Sequence, residues 1–198
     1  LRPKTPIKNL YLTGQDIEFV KGLKIDDSKK ITDERIRVIG QQLKDRIQYS
    51  MLALHNSKFN EMTKKGYNMN KLKAYLHNSA ILQLVNKIKK NPLVIVDQFA
   101  EEKLYFSYLK NEHKIYRDIT FTTKAESKYA SVAVASIIAR YSFLQYFDNL
   151  SEESGYELLK GAGKKVDFLA AQIIKEKGEK FLYNISKTNF RTLDKAKD

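Results

Sequence analysis

Residues 91–99 read Asn-Pro-Leu-Val-Ile-Val-Asp-Gln-Phe, and this stretch decides the fold class. Pro92 ends the helix before it, because proline has no N–H to donate inside a helix. The unbroken apolar run that follows predicts a β-strand over 93–97, buried on both faces and therefore central in its sheet. Asp97 ends this strand, at the edge where ligands bind in open α/β sheets.

A second predicted strand leads to a second carboxylate. It covers 115–123 and is followed by Lys-Ala-Glu-Ser at 124–127, which places Glu126 at the start of a helix. Two carboxylates that follow neighbouring strands form half of a divalent-metal site, since hard cations prefer oxygen ligands. Each also has a simpler interpretation: Asp97 as the cap of the short helix that follows it, and Glu126 as a charge favoured by a helix dipole.

The rest of the chain alternates strands with helices, which is typical of an α/β fold. Helical spacing of apolar residues predicts a helix over 31–46, with Thr32 or Asp33 as its N-cap. A helix over 127–149, rich in Ala and Val, is predicted to pack tightly against the sheet. The other predicted elements are strands over 9–13 and 47–54 and helices over 57–65, 70–89, 101–109, 164–177 and 178–187.

No repeat and no linker interrupts the sequence. Residues 1–198 are therefore predicted to form a single domain, whose portion from about 151 to 198 is helical. The absence of Cys excludes disulfides, thiolate metal sites and a cysteine nucleophile. No apolar run approaches the roughly 20 residues that a membrane helix needs, so a cytoplasmic protein without membrane contact is expected.

The charge of the chain indicates its partner. Its 36 Lys and Arg against 23 Asp and Glu give a formal net charge of +13. A basic surface favours a polyanion, and nucleic acid is the partner that we expect. A compositional preference for Lys at solvated positions is the alternative explanation.

Three basic segments contain the groups that bind phosphates, namely Lys side chains, hydroxyls and backbone N–H groups in small-residue turns. One precedes the first long helix, one surrounds Glu126, and one is a Lys-Gly-Ala-Gly turn before a C-terminal helix. A solvated capping turn is the alternative for the first of these segments. The predicted nucleic-acid contacts are Ser28, Lys29, Lys30, Lys124, Ser127, Lys160, Gly161 and Gly163.

Several ordered blocks of this sequence resemble ribonuclease HIII, a bacterial type 2 ribonuclease H. They lie at 27–33, 54–56, 65–68, 71–74, 76–78, 96–99, 123–127, 133–141 and 160–163. The resemblance implies a ribonuclease H-like mixed sheet flanked by helices, with a helical C-terminal part. It also implies a monomeric endonuclease that cleaves the RNA strand of RNA–DNA hybrids by two-metal-ion hydrolysis, using Mg²⁺ or Mn²⁺ as a substitute.

The resemblance further implies four catalytic, metal-binding carboxylates in the order Asp, Glu, Asp, Glu. Asp97 matches the third and Glu126 the fourth. The first two belong to an Asp-Glu-x-Gly-x-Gly motif, which this sequence does not contain, and it lacks the family's N-terminal substrate-binding domain. We therefore expect another strand, paired with the one ending at Asp97, to lie before Leu1, and the chain without it to be unstable. A catalytically inactive, nucleic-acid-binding relative is the alternative function.

Overall fold

We describe residues 5–23, 25 and 31–187 of a computed structural model, with side chains from residue 10 onward. Strands and helices alternate through the first two thirds of the chain, and helices follow. The elements are β1 Thr5–Tyr11, α1 Gly14–Gly22, α2 Asp33–Arg46, β2 Gln48–Leu54, α3 Asn56–Lys64, α4 Met69–Ile88, β3 Val94–Asp97, α5 Glu102–Tyr108, β4 Ile119–Thr122, α6 Ala125–Lys128, α7 Ala130–Ser154, α8 Lys164–Lys177 and α9 Glu179–Ile185.

Side-chain caps fix where the early helices begin. Thr32, one of the two N-caps that the sequence predicted for α2, is the one observed, and its hydroxyl accepts the Arg35 N–H at 3.3 Å. Helix α1 was not predicted, although Thr13 and Asp16 form a capping box at its start, with the Thr13 N–H donating to Asp16 at 2.9 Å. The spacing of Thr13 and Asp16 was the available signal for that helix.

β3 and β4 form a parallel pair in which Val94 is opposite Ile119. The prediction that β3 is buried on both faces is wrong. Among its residues only Val96 is buried, and Leu93, just before the strand, is 74% exposed. The reason is that, within the described part of the chain, β3 has β4 as its one strand partner. β1 and β2 form a separate two-stranded sheet.

The Ala- and Val-rich segment is two helices instead of one. Tyr129 has φ −129° and ψ 116°, an extended conformation that ends α6 and separates it from α7. The Tyr129 N–H still donates to the Ala125 carbonyl at 2.9 Å, so the first turn is complete before the chain changes direction. The predicted helix over 127–149 is therefore wrong at its start.

The chain divides into two compact units, and Pro6–Leu52 with Asn68–Ser142 forms the larger one. Part of its core is an aromatic cluster around Tyr105, which is completely buried. Tyr105 meets Phe106 and Phe121 edge-on, with ring centroids 5.2 and 5.0 Å away. This cluster packs α4 and α5 against the β3–β4 pair and so supports the strand ends.

Two residues of the block at 133–141 hold α2 against α7 in the same unit. The Arg140 guanidinium donates to Asp33 at 2.6 Å and to the Ile31 carbonyl at 2.7 Å. The Tyr141 hydroxyl donates to the side-chain carbonyl of Gln41. The block at 133–141 therefore lies where α7 contacts α2.

Among the described residues, the second unit contains Ala53–Tyr67 and the chain from Phe143 to Lys187. Its core is formed by buried apolar residues of α7, α8, α9 and the segment before α8, and they include Phe147, Leu158, Ile173 and Leu182. No helix in the described residues is long and apolar enough to span a bilayer. The single domain expected from the sequence stays a prediction.

Candidate active site

The carboxyl ends of β3 and β4 lie side by side. In the parallel register Asp97 is opposite Thr122, the last residue of β4. The Gln98 N–H donates to the Thr122 carbonyl at 3.0 Å, so the pairing continues past the strand ends. Because α6 starts at Ala125, shortly after β4, the structure brings Asp97 and Glu126 to the same edge of this sheet.

Asp97 is tied directly to the start of α6. Its Oδ1 accepts the backbone N–H of Ala125 at 2.9 Å, while its side chain is otherwise exposed. The first N–H groups of a helix have no partner within the helix, so this carboxylate caps α6. The interpretation of Asp97 as a cap of the next helix is wrong in its detail, because Glu101 is the N-cap of α5. Asp97 instead joins the two segments that carry the predicted ligands.

Lys124 supplies the turn that makes this link possible. Its backbone is left-handed, with φ 54° and ψ 40°, which costs a non-glycine residue about 1 kcal/mol. The Lys124 carbonyl accepts the Ser127 N–H at 3.2 Å and the Ser127 hydroxyl at 2.8 Å. These two bonds hold the turn, which directs the Ala125 N–H at Asp97 and places Glu126 next in the chain.

With this geometry established, the relatives of the chain become informative. The family model described as "Ribonuclease HII" matches residues 9–193. The chain belongs to the ribonuclease HII family. It is 45% identical to ribonuclease HIII of Phytoplasma mali over 185 residues, which is 93% of this chain and 64% of that protein. It is 44% identical to ribonuclease HIII of Bacillus cereus over 190 residues, 94% of this chain and 61% of that protein.

Solved structures of the ribonuclease HII family and its relatives confirm the predicted fold. The structure of Bst-RNase HIII in complex with Mn²⁺ matches with a TM-score of 0.95 at 35% identity, covering 98% of this chain and 64% of that one. The structure of ribonuclease H2 from Pyrococcus horikoshii matches with a TM-score of 0.73 at 20% identity, which supports the fold alone. The resemblance to ribonuclease HIII seen in the sequence is confirmed, and the chain spans 61–64% of the length of the curated relatives.

Asp97 and Glu126 fit one side of a divalent-metal site in this ribonuclease HII family member. Their oxygens are the ligands that Mg²⁺ and Mn²⁺ prefer, and Asp97 is exposed at a sheet edge where an ion can reach it. They do not complete the site. In the part of the chain that the structure describes, no group of three or more His, Asp or Glu residues is arranged to hold a metal.

A histidine of α4 packs against the segment that follows Asp97. His77 of α4 stacks on Phe99, two residues beyond Asp97, with ring centroids 5.6 Å apart. Burial, and secondarily the charge of Lys73, lower the pKa of His77 to about 4, so the ring is neutral at pH 7. The Lys73 Nζ lies 5.3 Å from the Phe99 ring centroid. Lys73 and Phe99 were not among the predicted site residues; the four-residue spacing of Lys73 and His77 on a helix was the available signal.

The other predicted contacts fall in three places. Ser28, Lys29 and Lys30 lie outside the described residues. Ser127 is next to Glu126, but its hydroxyl already donates to the Lys124 carbonyl, so a phosphate that accepts from this hydroxyl would have to displace that bond. Lys160, Gly161 and Gly163 belong to the smaller unit, in the turn before α8, where Gly161 has a φ of +98° that favours glycine.

Proposed function

We propose that this chain carries half of a metal-dependent endonuclease site that cleaves the RNA strand of RNA–DNA hybrids. The observation that supports it most is the hydrogen bond from the Ala125 N–H to Asp97 Oδ1 at 2.9 Å. That bond joins the end of β3 to the start of α6, and so keeps the carboxylates of Asp97 and Glu126 on one sheet edge. The ribonuclease HIII relatives give the substrate class for this proposal.

Asp97 and Glu126 would hold Mg²⁺, or Mn²⁺ as in the solved complex of Bst-RNase HIII. The ions would supply an activated water and stabilise the leaving oxygen in a two-metal hydrolysis. The chain's own part is to fix the ligands. The Ala125 N–H orients the Asp97 carboxylate before any ion arrives, and the Ser127 bonds fix the turn that carries Glu126. A working two-metal centre requires further ligands beyond this pair.

Basic residues of both units would contact the nucleic acid. Lys124 is exposed next to Glu126, and Lys160 is exposed in the turn before α8. Lysines act on phosphates as point charges, so removing one should weaken binding about equally for every sequence and reduce the salt slope by about one unit. Ser28, Lys29, Lys30, Ser127, Gly161 and Gly163 complete the proposed contact set.

The decisive experiment measures metal binding and hybrid cleavage with the 198-residue chain. A fluorescently labelled RNA–DNA hybrid is incubated with Mg²⁺ or Mn²⁺, and calorimetry follows uptake of each ion. Any cleavage by the parent chain should be abolished by Asp97→Asn and by Glu126→Gln. Glu153→Gln, at an exposed carboxylate of α7, is the control and should behave like the parent.

The second candidate is a nucleic-acid-binding relative without catalysis. It is favoured by the absence, among the described residues, of a cluster of three or more metal-ligating side chains. Hybrid binding with no metal uptake and no cleavage would support it and would contradict the nuclease function for this chain. Cleavage that survives Asp97→Asn would mean that a different group carries the reaction.

A further inference from the structure

One exposed face of α8 carries an aromatic ring among lysines. At 100° per residue, Lys164, Lys165, Phe168 and Lys175 lie within an arc of about 100° on this helix. All four side chains are exposed, and Phe168 is 76% exposed. The opposite face, with Val166, Ala170 and Ile173, is buried in the core of its unit. Helix packing is therefore satisfied without Phe168.

The lysines of this face differ from three lysines elsewhere in the chain that form ion pairs. Lys21, Lys58 and Lys65 each pair with a glutamate at 2.6–2.9 Å. Within the described residues, Lys164, Lys165 and Lys175 have no carboxylate within 4.0 Å that would form an ion pair.

The acidic residue at the border of this face is already occupied. Glu176 accepts a hydrogen bond from Gln172 at 2.9 Å and another from the Tyr156 hydroxyl at 2.6 Å. The bonds from Tyr156 and Gln172, with a smaller effect of the charges of Lys177 and Lys175, lower the pKa of Glu176. Both carboxylate oxygens face those two hydrogen-bond donors. The three lysines therefore present positive charge to the solvent, with a flat apolar ring between them.

We propose that Lys164, Lys165, Phe168 and Lys175 form a second nucleic-acid contact surface, in which the lysines bind backbone phosphates and Phe168 packs against a sugar. The backbone of nucleic acid alternates phosphates with sugars, so a surface of cations around one ring matches it. An anionic membrane is a poorer fit, because interfacial helices bury a broad apolar face and this arc contains one apolar side chain. The Lys160–Gly163 turn leads directly into α8, so the surface continues a predicted contact.

This inference rests on the proposed function, because that function supplies the nucleic acid. The test measures binding of the 198-residue chain to a labelled RNA–DNA hybrid in EDTA, where no cleavage occurs, across a salt series. Phe168→Ser should weaken binding about tenfold and leave the salt slope unchanged, because it removes apolar contact and no charge. Lys165→Ala and Lys175→Ala should each flatten the slope by about 0.9. Lys58→Ala, whose ammonium already pairs with Glu61, is the matched control and should change neither.

The outcomes separate this surface from the active site. Parent-like affinity and slope in all three variants would overturn the surface and leave the nuclease proposal standing. A parent chain that binds no hybrid would overturn both. Phosphatidylcholine vesicles containing phosphatidylserine provide the remaining arm: if Phe168→Ser abolishes vesicle binding and leaves hybrid binding intact, the surface is a membrane contact and the inference is wrong.

Discussion

The contact between α2 and α7 gives the sharpest stability prediction. Gly40 of α2 lies against Tyr141 of α7 so closely that a Cβ at position 40 would sit 2.4 Å from the Tyr141 Cβ and 2.5 Å from its Cγ. Gly40 is inside a helix, where alanine is normally better than glycine by about 1 kcal/mol. Helix propensity and packing therefore predict opposite signs for Gly40→Ala.

Packing should prevail. Both Cβ atoms are fixed to backbone, so no side-chain rotation relieves the overlap, and the two helices would have to separate by about 1 Å to restore an ordinary contact. Overpacking of this kind costs about 2–3 kcal/mol, the upper part of its usual range. Separation of the two helices would also stretch the 2.6 Å bond between Arg140 and Asp33, which would cost about 1 kcal/mol more of unfolding free energy. Subtracting the propensity gain leaves Gly40→Ala destabilised by about 2–3 kcal/mol.

The assay is equilibrium unfolding in urea, with thermal unfolding in parallel. A loss of about 2–3 kcal/mol should lower the Tm by roughly 5–10 °C in a chain of this size. Gly22→Ala is the matched control, since no atom lies within 4 Å of its Cβ position at the end of α1. The control should stay within about 0.5 kcal/mol of the parent. If Gly40→Ala is as stable as the parent, the close approach of the two helices is wrong.

Three further changes probe the site and its support. Asp97→Ala removes the hydrogen bond from the Ala125 N–H and should lower the free energy of unfolding by about 1 kcal/mol. Asp97→Asn keeps an oxygen acceptor and should lower it by less than half as much. Equal losses of the two variants in thermal unfolding would contradict the role of Asp97 as the cap of α6. The pKa of His77 is lowered from 6.5 to about 4 in the folded chain, so the unfolded chain binds the proton more tightly. The free energy of unfolding is therefore highest above pH 6.5. It should fall by at most about 3 kcal/mol as the pH drops from 6.5 to 4. His77→Phe should remove this fall in the free energy of unfolding when it is measured across that pH range. An unchanged pH dependence would mean that other groups cause it. Tyr105→Phe should be neutral or stabilising by about 1 kcal/mol in urea unfolding, because the buried hydroxyl has no hydrogen-bond partner among the described residues; a clear loss would reveal a partner.

Local patterns in the sequence were sufficient wherever a local interaction decides the structure. Thr32 marks the start of α2 because its hydroxyl reaches a backbone N–H three residues ahead. Asp97 ends β3 as predicted, because an apolar run bounded by proline and a carboxylate has few other conformations. The capping box of Thr13 and Asp16 is equally local, and α1 could have been found from it.

Long-range interactions explain the rest. The run before Asp97 has the composition of a buried strand, but burial also needs partners on both sides, and Leu93 remains 74% exposed. Tyr129 interrupts a sequence of good helix formers because the chain changes direction there, which no local propensity encodes. The bond that caps α6 joins Asp97 to Ala125, 28 positions apart, so its existence depends on the pairing of β3 with β4.

That same bond gives the capping role of Asp97 and its proposed role as a metal ligand a common physical basis. A residue used only as a cap would not require strain elsewhere, yet here Lys124 adopts a left-handed backbone at a cost of about 1 kcal/mol. The Ser127 N–H and hydroxyl bonds to the Lys124 carbonyl offset that cost and hold the turn without any ligand. The carboxylate of Asp97 is thus oriented through Oδ1, and its other oxygen is the one left to approach a cation. Because this half of the site is already ordered, an ion that binds it gives up little free energy to organise Asp97 or the turn before Glu126.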